Sequence, residues 1–480
     1  MAGPAHAADE PVQKALKAIE KHRYEEASRD LRQALPSIPA AKQPSAKLAL
    51  GMAYLRNAEL HRGLYAASVA VNADYLKRLA GDRGAGRSRA SDLYLGVVNL
   101  ENGKADAAAQ AFEKFLAGGP VDERSAAVAR IGLGTARWTA GDKAKAQEQW
   151  DAVKGDAEVM SELAAALSRA GLKDKDPAGL CSEAVNASRK GGKGLPQAVI
   201  KNCLGVYVRA GDLERGSDLL EGADLRSPVY RETIGKSKVL SFHDPRLLEN
   251  LSAFYLQSAL AALDTAAADQ QIRNIASYYL GEAQLLAGNA EQAAKATADF
   301  LGSAQVPPQY RSRALVRQGA IQYQKGKQAD AIGTWNDLAR SQQGDPEVLA
   351  EVLNTCSRLR IDCPRIAQTA AAAAEGGEGK RFAGVNIGLG RYALMKKDQA
   401  KAIAYLEAGR DKSNKNKIEF NDPVMLVDLA ETYYRTKKFS EALEIYFEMS
   451  KQFPQVRQIQ EALQGIYSME HKSAGDVKIN

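Results

Sequence analysis

The chain has 480 residues, a net charge of +7 at neutral pH, 45% hydrophobic residues and 6% aromatics. That length exceeds what one compact core usually organises, and no run of about eighteen apolar residues exists to span a bilayer as a helix. Strand signals are nearly absent and alanine is abundant, so the composition excludes a β-rich fold and points to closely packed helices.

The N-terminus reads Ala5-His6-Ala7 before Ala8-Asp9-Glu10. This has the form of a signal-peptidase site, without the charged and apolar stretches that precede one. Residues 1–8 are therefore expected to be a leader remnant or an irregular start, residues 9–470 one continuous helical array, and residues 471–480 a polar tail. No cysteine lies near the site, so a lipid anchor has no attachment residue. A basic, glycine-rich loop follows, with Lys77, Arg78, Arg83, Arg87 and Arg89 among Gly81, Gly84 and Gly86. Arg83, Arg87 and Arg89 are the candidate contacts for an anionic polymer, and a solvated flexible loop is the plain alternative.

From Leu95-Gly96 onward one pattern recurs. A Leu-Gly pair is followed seven residues later by Gly and five beyond that by Ala: Gly96, Gly103 and Ala108; Gly134, Gly141 and Ala146; Gly281, Gly288 and Ala293. The first Gly lets a neighbouring helix approach, and the second ends the helix in a left-handed conformation. Four residues after the Ala position stands a large apolar residue, Phe112, Trp150 and Trp335 in three copies, on the same helix face. A higher order overlies the repeats. Gly96 to Gly281, Gly134 to Gly319, Trp150 to Trp335 and Gly205 to Gly390 are all separated by 185 residues. The loops Gly191-Gly192-Lys193-Gly194 and Gly376-Gly377-Glu378-Gly379 match at the same offset, and Phe242-His243-Asp244-Pro245 recurs as Phe420-Asn421-Asp422-Pro423. Blocks at about 90–265 and 275–455 are read as a duplication.

No catalytic constellation stands out. The five histidines are scattered singly, with no second ligand at metal spacing. His243-Asp244-Pro245 reads as a helix start, Asp244 capping and Pro245 in the first position. Gly235-Lys236-Ser237 lacks the Gly that a phosphate-binding loop needs, since Tyr230 occupies that position. No cofactor, metal or catalytic residue is predicted.

The repeat spacing resembles the tetratricopeptide (TPR) repeat, a 34-residue helix-turn-helix. The last copy carries Leu429-Ala430, Tyr433, Lys437-Lys438-Phe439, Ala442, Tyr446 and Pro454; another carries Gln318-Gly319, Gln322, Gly326, Ala331, Trp335 and Leu338; a third centres on Leu389-Gly390 with Ala402 and Leu406. Ala430 departs from the usual Gly, and the copy near Cys203 is one residue short in its turn. The resemblance implies an all-α, right-handed superhelical solenoid with internal duplication. It implies that the first helices of the hairpins line a concave groove. By register that lining comprises Leu55, Leu93, Leu100, Ile131, Trp138, Tyr278, Leu285, Val316, Tyr323, Leu394 and Tyr434. Leu55, Leu100, Trp138, Tyr278, Tyr323, Leu394 and Tyr434 are the partner-binding candidates. The alternative is that they pack on one another across repeats.

Four cysteines allow three connectivities. In a solenoid whose distant repeats do not touch, Cys181–Cys203 with Cys356–Cys363 joins sequence neighbours; four buried thiols are the alternative. The expected function is a non-catalytic scaffold or adaptor for other envelope proteins in a bacterial periplasm, or peripheral to the outer membrane. Pilus, polysaccharide-export and outer-membrane assemblies are the candidate systems. A polyanion-binding module using the basic loops is the alternative, and nucleic acid is not an expected partner.

Overall fold

The computed structural model describes the chain apart from residues 1–3, 22, 82–89, 102, 191–194, 222–243, 264–269, 304–305, 307, 342–344, 377–381, 411–421, 453–458, 461 and 468–480, and apart from the side chains of 4–9, 64–81, 90–91, 98, 101, 308–309, 341 and 452. Among the described residues there is no strand. The architecture is all-α, a tandem array of TPR-like helical hairpins, and it divides into two compact units. Unit 1 comprises Met1–Glu59, Asn72–Ala262 and Ala287–Asn289; unit 2 comprises Leu60–Val71, Leu263–Leu286 and Ala290–Asn480.

Unit 1 opens with α1 (Pro4–Glu20) packed on α2 (Tyr24–Ala34), so helix begins inside the stretch expected to be irregular. The long α3 (Gln43–Gly81) follows and contributes to both units. Four hairpins come next: α4 (Ala90–Glu101) with α5 (Ala105–Ala117), α6 (Glu123–Thr139) with α7 (Lys143–Asp151), α8 (Ala157–Arg169) with α9 (Pro177–Lys190), and α10 (Gln197–Ala210) with α11 (Leu213–Glu221). A single helix, α12 (Pro245–Ala262), ends the unit. Unit 2 holds α13 (Gln270–Leu286) with α14 (Ala290–Leu301), α15 (Pro308–Gln324) with α16 (Gln328–Ser341), α17 (Pro346–Leu359) with α18 (Pro364–Glu375), α19 (Ala383–Met395) with α20 (Gln399–Gly409), and α21 (Pro423–Arg435) with α22 (Phe439–Gln452).

The hairpin turns have one chemistry. Gly103, Gly141, Gly211, Gly288 and Gly326 all have positive φ, and Lys397 and Lys437 take the same conformation at the equivalent positions. At Gly141 the turn amide donates to the Trp138 carbonyl at 3.0 Å and Asp142 N donates to the Arg137 carbonyl at 2.9 Å. This pair of bonds satisfies carbonyls that the helix end leaves open. It recurs at Gly103, Gly211, Gly326, Lys397 and Lys437. An aspartate then caps several second helices: Asp142, Asp212 and Asp398 accept from Lys145 N, Arg215 N and Lys401 N. Asp244 and Asp422 cap α12 and α21 the same way, each with Pro in the first helical position.

Close packing follows from the first glycine of each copy. A methyl group built on Gly134 overlaps the Trp150 indole, and one on Gly319 overlaps the Trp335 indole. Each indole N–H donates to a first-helix carbonyl nineteen residues earlier, Ile131 at 3.3 Å and Val316 at 2.9 Å. Ile131 and Val316 are themselves 185 apart, so the duplicated blocks share hydrogen bonds as well as residues. One position diverges. Phe112 packs on Gly96 and Gly132, but the corresponding residues in the second block are Thr297, Gly281 and Arg317. The Arg317 guanidinium takes up the space: it is 7% exposed, donates to the Tyr278 carbonyl at 2.6 Å, pairs with Glu282 at 3.4 Å and lies 4.4 Å from the Tyr278 ring centre.

Two helices depart from the hairpin rule, and unit 1 closes through them. Seven residues after Gly51 stands Ala58, and seven after Ser252 stands Ala259; both are fully buried inside helix. With no residue suited to the left-handed turn, α3 and α12 run on instead of folding back. Each thereby leaves bare the face that its own second helix would cover, and they cover one another. A methyl on Gly51 overlaps Leu256, the Ser252 hydroxyl donates to the Gly51 carbonyl at 2.8 Å across 201 residues, and Tyr54 stacks on Tyr255 with ring centres 5.8 Å apart. The premise that distant repeats do not touch is thus corrected within unit 1.

The two kinds of glycine separate experimentally. Gly141→Ala places a methyl in open space at φ 89°, so only backbone strain of about 1 kcal/mol is expected. Gly134→Ala drives a methyl into the Trp150 indole and is expected to cost about 2–3 kcal/mol. Chemical denaturation of the two variants, read by tryptophan fluorescence, checks the order; equal losses would contradict it.

Candidate functional site

The first helices carry the residues assigned by register to a partner-binding groove. In unit 1, Leu55 is fully buried, and Leu100 and Trp138 are half-buried. In unit 2, Tyr278 and Tyr434 are buried, and Tyr323 and Leu394 are half-buried. Five of the seven share one address. Leu100, Trp138, Tyr323, Leu394 and Tyr434 each stand three residues before the left-handed turn, and each carbonyl accepts the turn amide. They therefore sit in the last turn of a first helix, at the hairpin end of the repeat.

Their surroundings differ. The Trp138 ring lies 5.7 Å from that of Trp150, with the Lys143 ammonium 5.2 Å from its centre, so one indole face is held by the core. Tyr323 packs against the cluster that contains Trp335, Val352 and Leu353. Tyr434 meets Phe439, the first residue of its second helix, at 5.8 Å. Tyr278 is enclosed by Tyr279, Phe300 and Tyr310, with centroid distances between 4.9 and 5.2 Å. Burial pushes the Tyr278 hydroxyl well above the ordinary phenol range, with Glu282 adding to the effect.

The first helices of unit 2 carry charged side chains as well. Beside Arg317, Arg391 on α19 ties three first helices together. It donates to Asp428 on α21 at 2.7 Å, to Asn354 on α17 at 3.2 Å and to Asp422 at 3.4 Å. Asn354, Arg391 and Asp428 are spaced by 37 residues, one repeat apart, so they hold the same place on successive helices. In unit 1 the tie between α10 and α12 uses Lys201 Nζ to Asp244 at 2.9 Å and Asn250 Nδ2 to the Lys201 carbonyl at 3.0 Å. Sequence reading missed this ladder because the repeat pattern marks only apolar and small positions. The 37-residue spacing of polar residues was the available signal.

The cysteines pair as predicted. Cys181 on α9 joins Cys203 on α10 with Cα atoms 5.3 Å apart, and Cys356 on α17 joins Cys363, the N-cap residue of α18, at 6.5 Å. Both bridges lie within a few helices of sequence. Arg83, Arg87 and Arg89 lie outside the described residues, as do His243 and the tail at 471–480. Among the described residues, no group of three or more His, Cys, Asp or Glu side chains is placed to hold a metal ion, and no helix is long and apolar enough to cross a membrane.

Burial sorts the candidates into two classes with separate consequences. Tyr434→Ser and Tyr278→Ser remove buried rings and are expected to destabilise unit 2 by about 3 kcal/mol or more. Trp138→Ser removes a half-exposed ring and is expected to cost about half as much. Thermal melts by circular dichroism check the ranking; a Trp138→Ser loss equal to that of Tyr434→Ser would place Trp138 wholly in the core.

No protein-family profile and no curated protein matches the sequence. Solved structures with a similar course include the yeast Tom70, at 12% identity and TM-score 0.34, covering 97% of both chains. The APC/C hetero-tetramer Cut9–Hcn1 is similar at 13% identity and TM-score 0.31, covering 96% of both chains. The TPR domain of P58(IPK) is similar at 15% identity and TM-score 0.21, over 81% of this chain and 99% of that one.

Proposed function

We propose that this chain is a non-catalytic scaffold or adaptor that binds other proteins through the hairpin ends of its first helices. The observation that carries the reading is the repeated placement of Leu100 and Trp138 in unit 1, and of Tyr323 and Leu394 in unit 2, half-buried at the same step of their repeats. Large apolar side chains anchored on one face by the core and open on the other lose little conformational freedom on binding, which suits them as anchors. A row of such residues at regular spacing fits an extended or helical segment of a partner.

The experiment is quantitative capture of partner proteins by immobilised full-length chain, with Trp138→Ser and Tyr323→Ser as variants, at low and high salt. Weakened capture by both folded variants and persistence at high ionic strength are expected. Capture that is unchanged in the variants but abolished by moderate salt would overturn this reading. It would favour a polyanion-binding module acting through Arg83, Arg87 and Arg89.

We place this scaffold in a bacterial envelope assembly, exported to the periplasm or peripheral to the outer membrane; a pilus, polysaccharide-export or outer-membrane complex is the setting. The Ala5-His6-Ala7 motif supports export, and so do two cysteine pairs at bonding distance with no free cysteine. Non-reducing peptide mapping of protein isolated from its native compartment is expected to return Cys181–Cys203 and Cys356–Cys363 as linked peptides. Four free thiols there would sink the export reading.

A further inference from the structure

Unit 1 has a cleft that none of the groove candidates line. It measures about 770 Å³ and lies between the end of α2 with the short turn after it, the start of α3, the second helix α11, and the end of α12. It exists because α12 outruns its cover. In register with α21, which ends at Arg435, α12 would stop at Gln257, but it continues to Ala262. Ser258, Ala261 and Ala262 therefore extend beyond the matched length, and their small side chains leave the space unfilled.

The floor is apolar and rigid. Phe254 meets Tyr255 edge-on at 5.3 Å, and Tyr255 is stacked on Tyr54. Leu35 stands on one wall, and Leu213 and Leu220 on the other. The walls carry opposite charge. Arg32 and Lys47 come from the α2–α3 side, with Arg32 Nη1 held 3.2 Å from the Tyr54 hydroxyl. Glu214 and Glu221 come from α11. Among the described residues, Lys47, Glu214 and Glu221 make no ion pair. On α11 the two leucines and the two glutamates each repeat at seven residues, two helical turns or about 10.5 Å. A wall with that period matches the side of another helix.

We infer that this cleft seats an amphipathic helix of about three turns from a partner protein, with its apolar stripe on Phe254, Leu213 and Leu220, basic residues seven apart facing Glu214 and Glu221, and acidic residues facing Arg32 and Lys47. The inference rests on the scaffold reading and adds to it a second site with its own partner chemistry.

The test uses a dye-labelled, end-capped 14-residue designed helix with leucine at i, i+3, i+4 and i+7, lysines on one flank and glutamates on the other. Two control peptides carry lysine on both flanks or glutamate on both. Fluorescence anisotropy against the full chain is expected to show the mixed peptide binding on the order of tenfold more tightly than either control. Glu214→Lys with Glu221→Lys, both at exposed positions, is expected to shift preference to the all-glutamate peptide. Ala261→Trp, which fills the cleft from an exposed position, is expected to abolish binding with the circular dichroism spectrum unchanged. Equal binding of the three peptides, or binding indifferent to both variants, overturns the proposal. So does self-association that Ala261→Trp removes, which assigns the cleft to a second copy. So does peptide binding that appears only after deletion of residues 222–243, which assigns it to the chain itself. If Ala261→Trp protein still captures partner proteins while the mixed peptide fails to bind wild type, the cleft assignment falls and the scaffold reading stands; if wild type captures nothing, the scaffold reading falls as well.

Discussion

The architecture depends on one backbone requirement: a residue six or seven positions after the small first-helix residue must enter the left-handed region for the chain to fold back. Glycine does this without penalty, and Lys397 and Lys437 do it against the usual steric cost of a Cβ. Where alanine stands instead, as at Ala58 and Ala259, the helix continues and its second-helix partner never forms. The two resulting orphan faces carry the same small-residue pattern, so they are complementary in shape, and they meet 201 residues apart. A local φ preference thus sets a long-range topology. The free end of α12 beyond that contact is also what leaves the unit 1 cleft open.

Close approach is the second constraint, and the two blocks solve it with different chemistry. Gly134 with Trp150 and Gly319 with Trp335 are one solution used twice, with the indole N–H satisfied by a first-helix carbonyl each time. Phe112 between Gly96 and Gly132 is another apolar version. Its counterpart replaces the ring by the guanidinium of Arg317, whose charge is tolerated because Glu282, the Tyr278 carbonyl and the Tyr278 ring all face it. Such a swap keeps the volume filled but couples the helices through a directional, charged contact. Together with the Arg391 tie, it places charge between the first helices of unit 2, as Lys201 and Asp244 do in unit 1.

These interior ties decide which parts of the first helices remain available. Tyr278 and Tyr434 are used up in holding neighbouring helices. Among the five residues at the hairpin end, Tyr434 is buried and meets Phe439, while Leu100, Trp138, Tyr323 and Leu394 are half-buried. The proposed anchors are therefore Trp138 and Tyr323, although register alone treats Tyr434 like them.

The sequence by itself determined the hairpins, because a turn glycine, a cap aspartate and an Ala–aromatic ladder are local signals that read the same in any context. It determined the duplication through the 185-residue offset; for the cysteines it left four buried thiols open beside the two pairs that the structure brings to bonding distance. Burial of individual groove residues was not legible: Leu55 and Trp138 have the same register, yet one is fully buried inside a helix that runs on and the other is half-buried at a hairpin end. The α3–α12 closure was decided only by tertiary structure, because it depends on two absent turns and on complementarity between faces far apart in sequence. The cleft was likewise decided there, since its walls come from three separated stretches of chain whose charges acquire meaning only when they face one another.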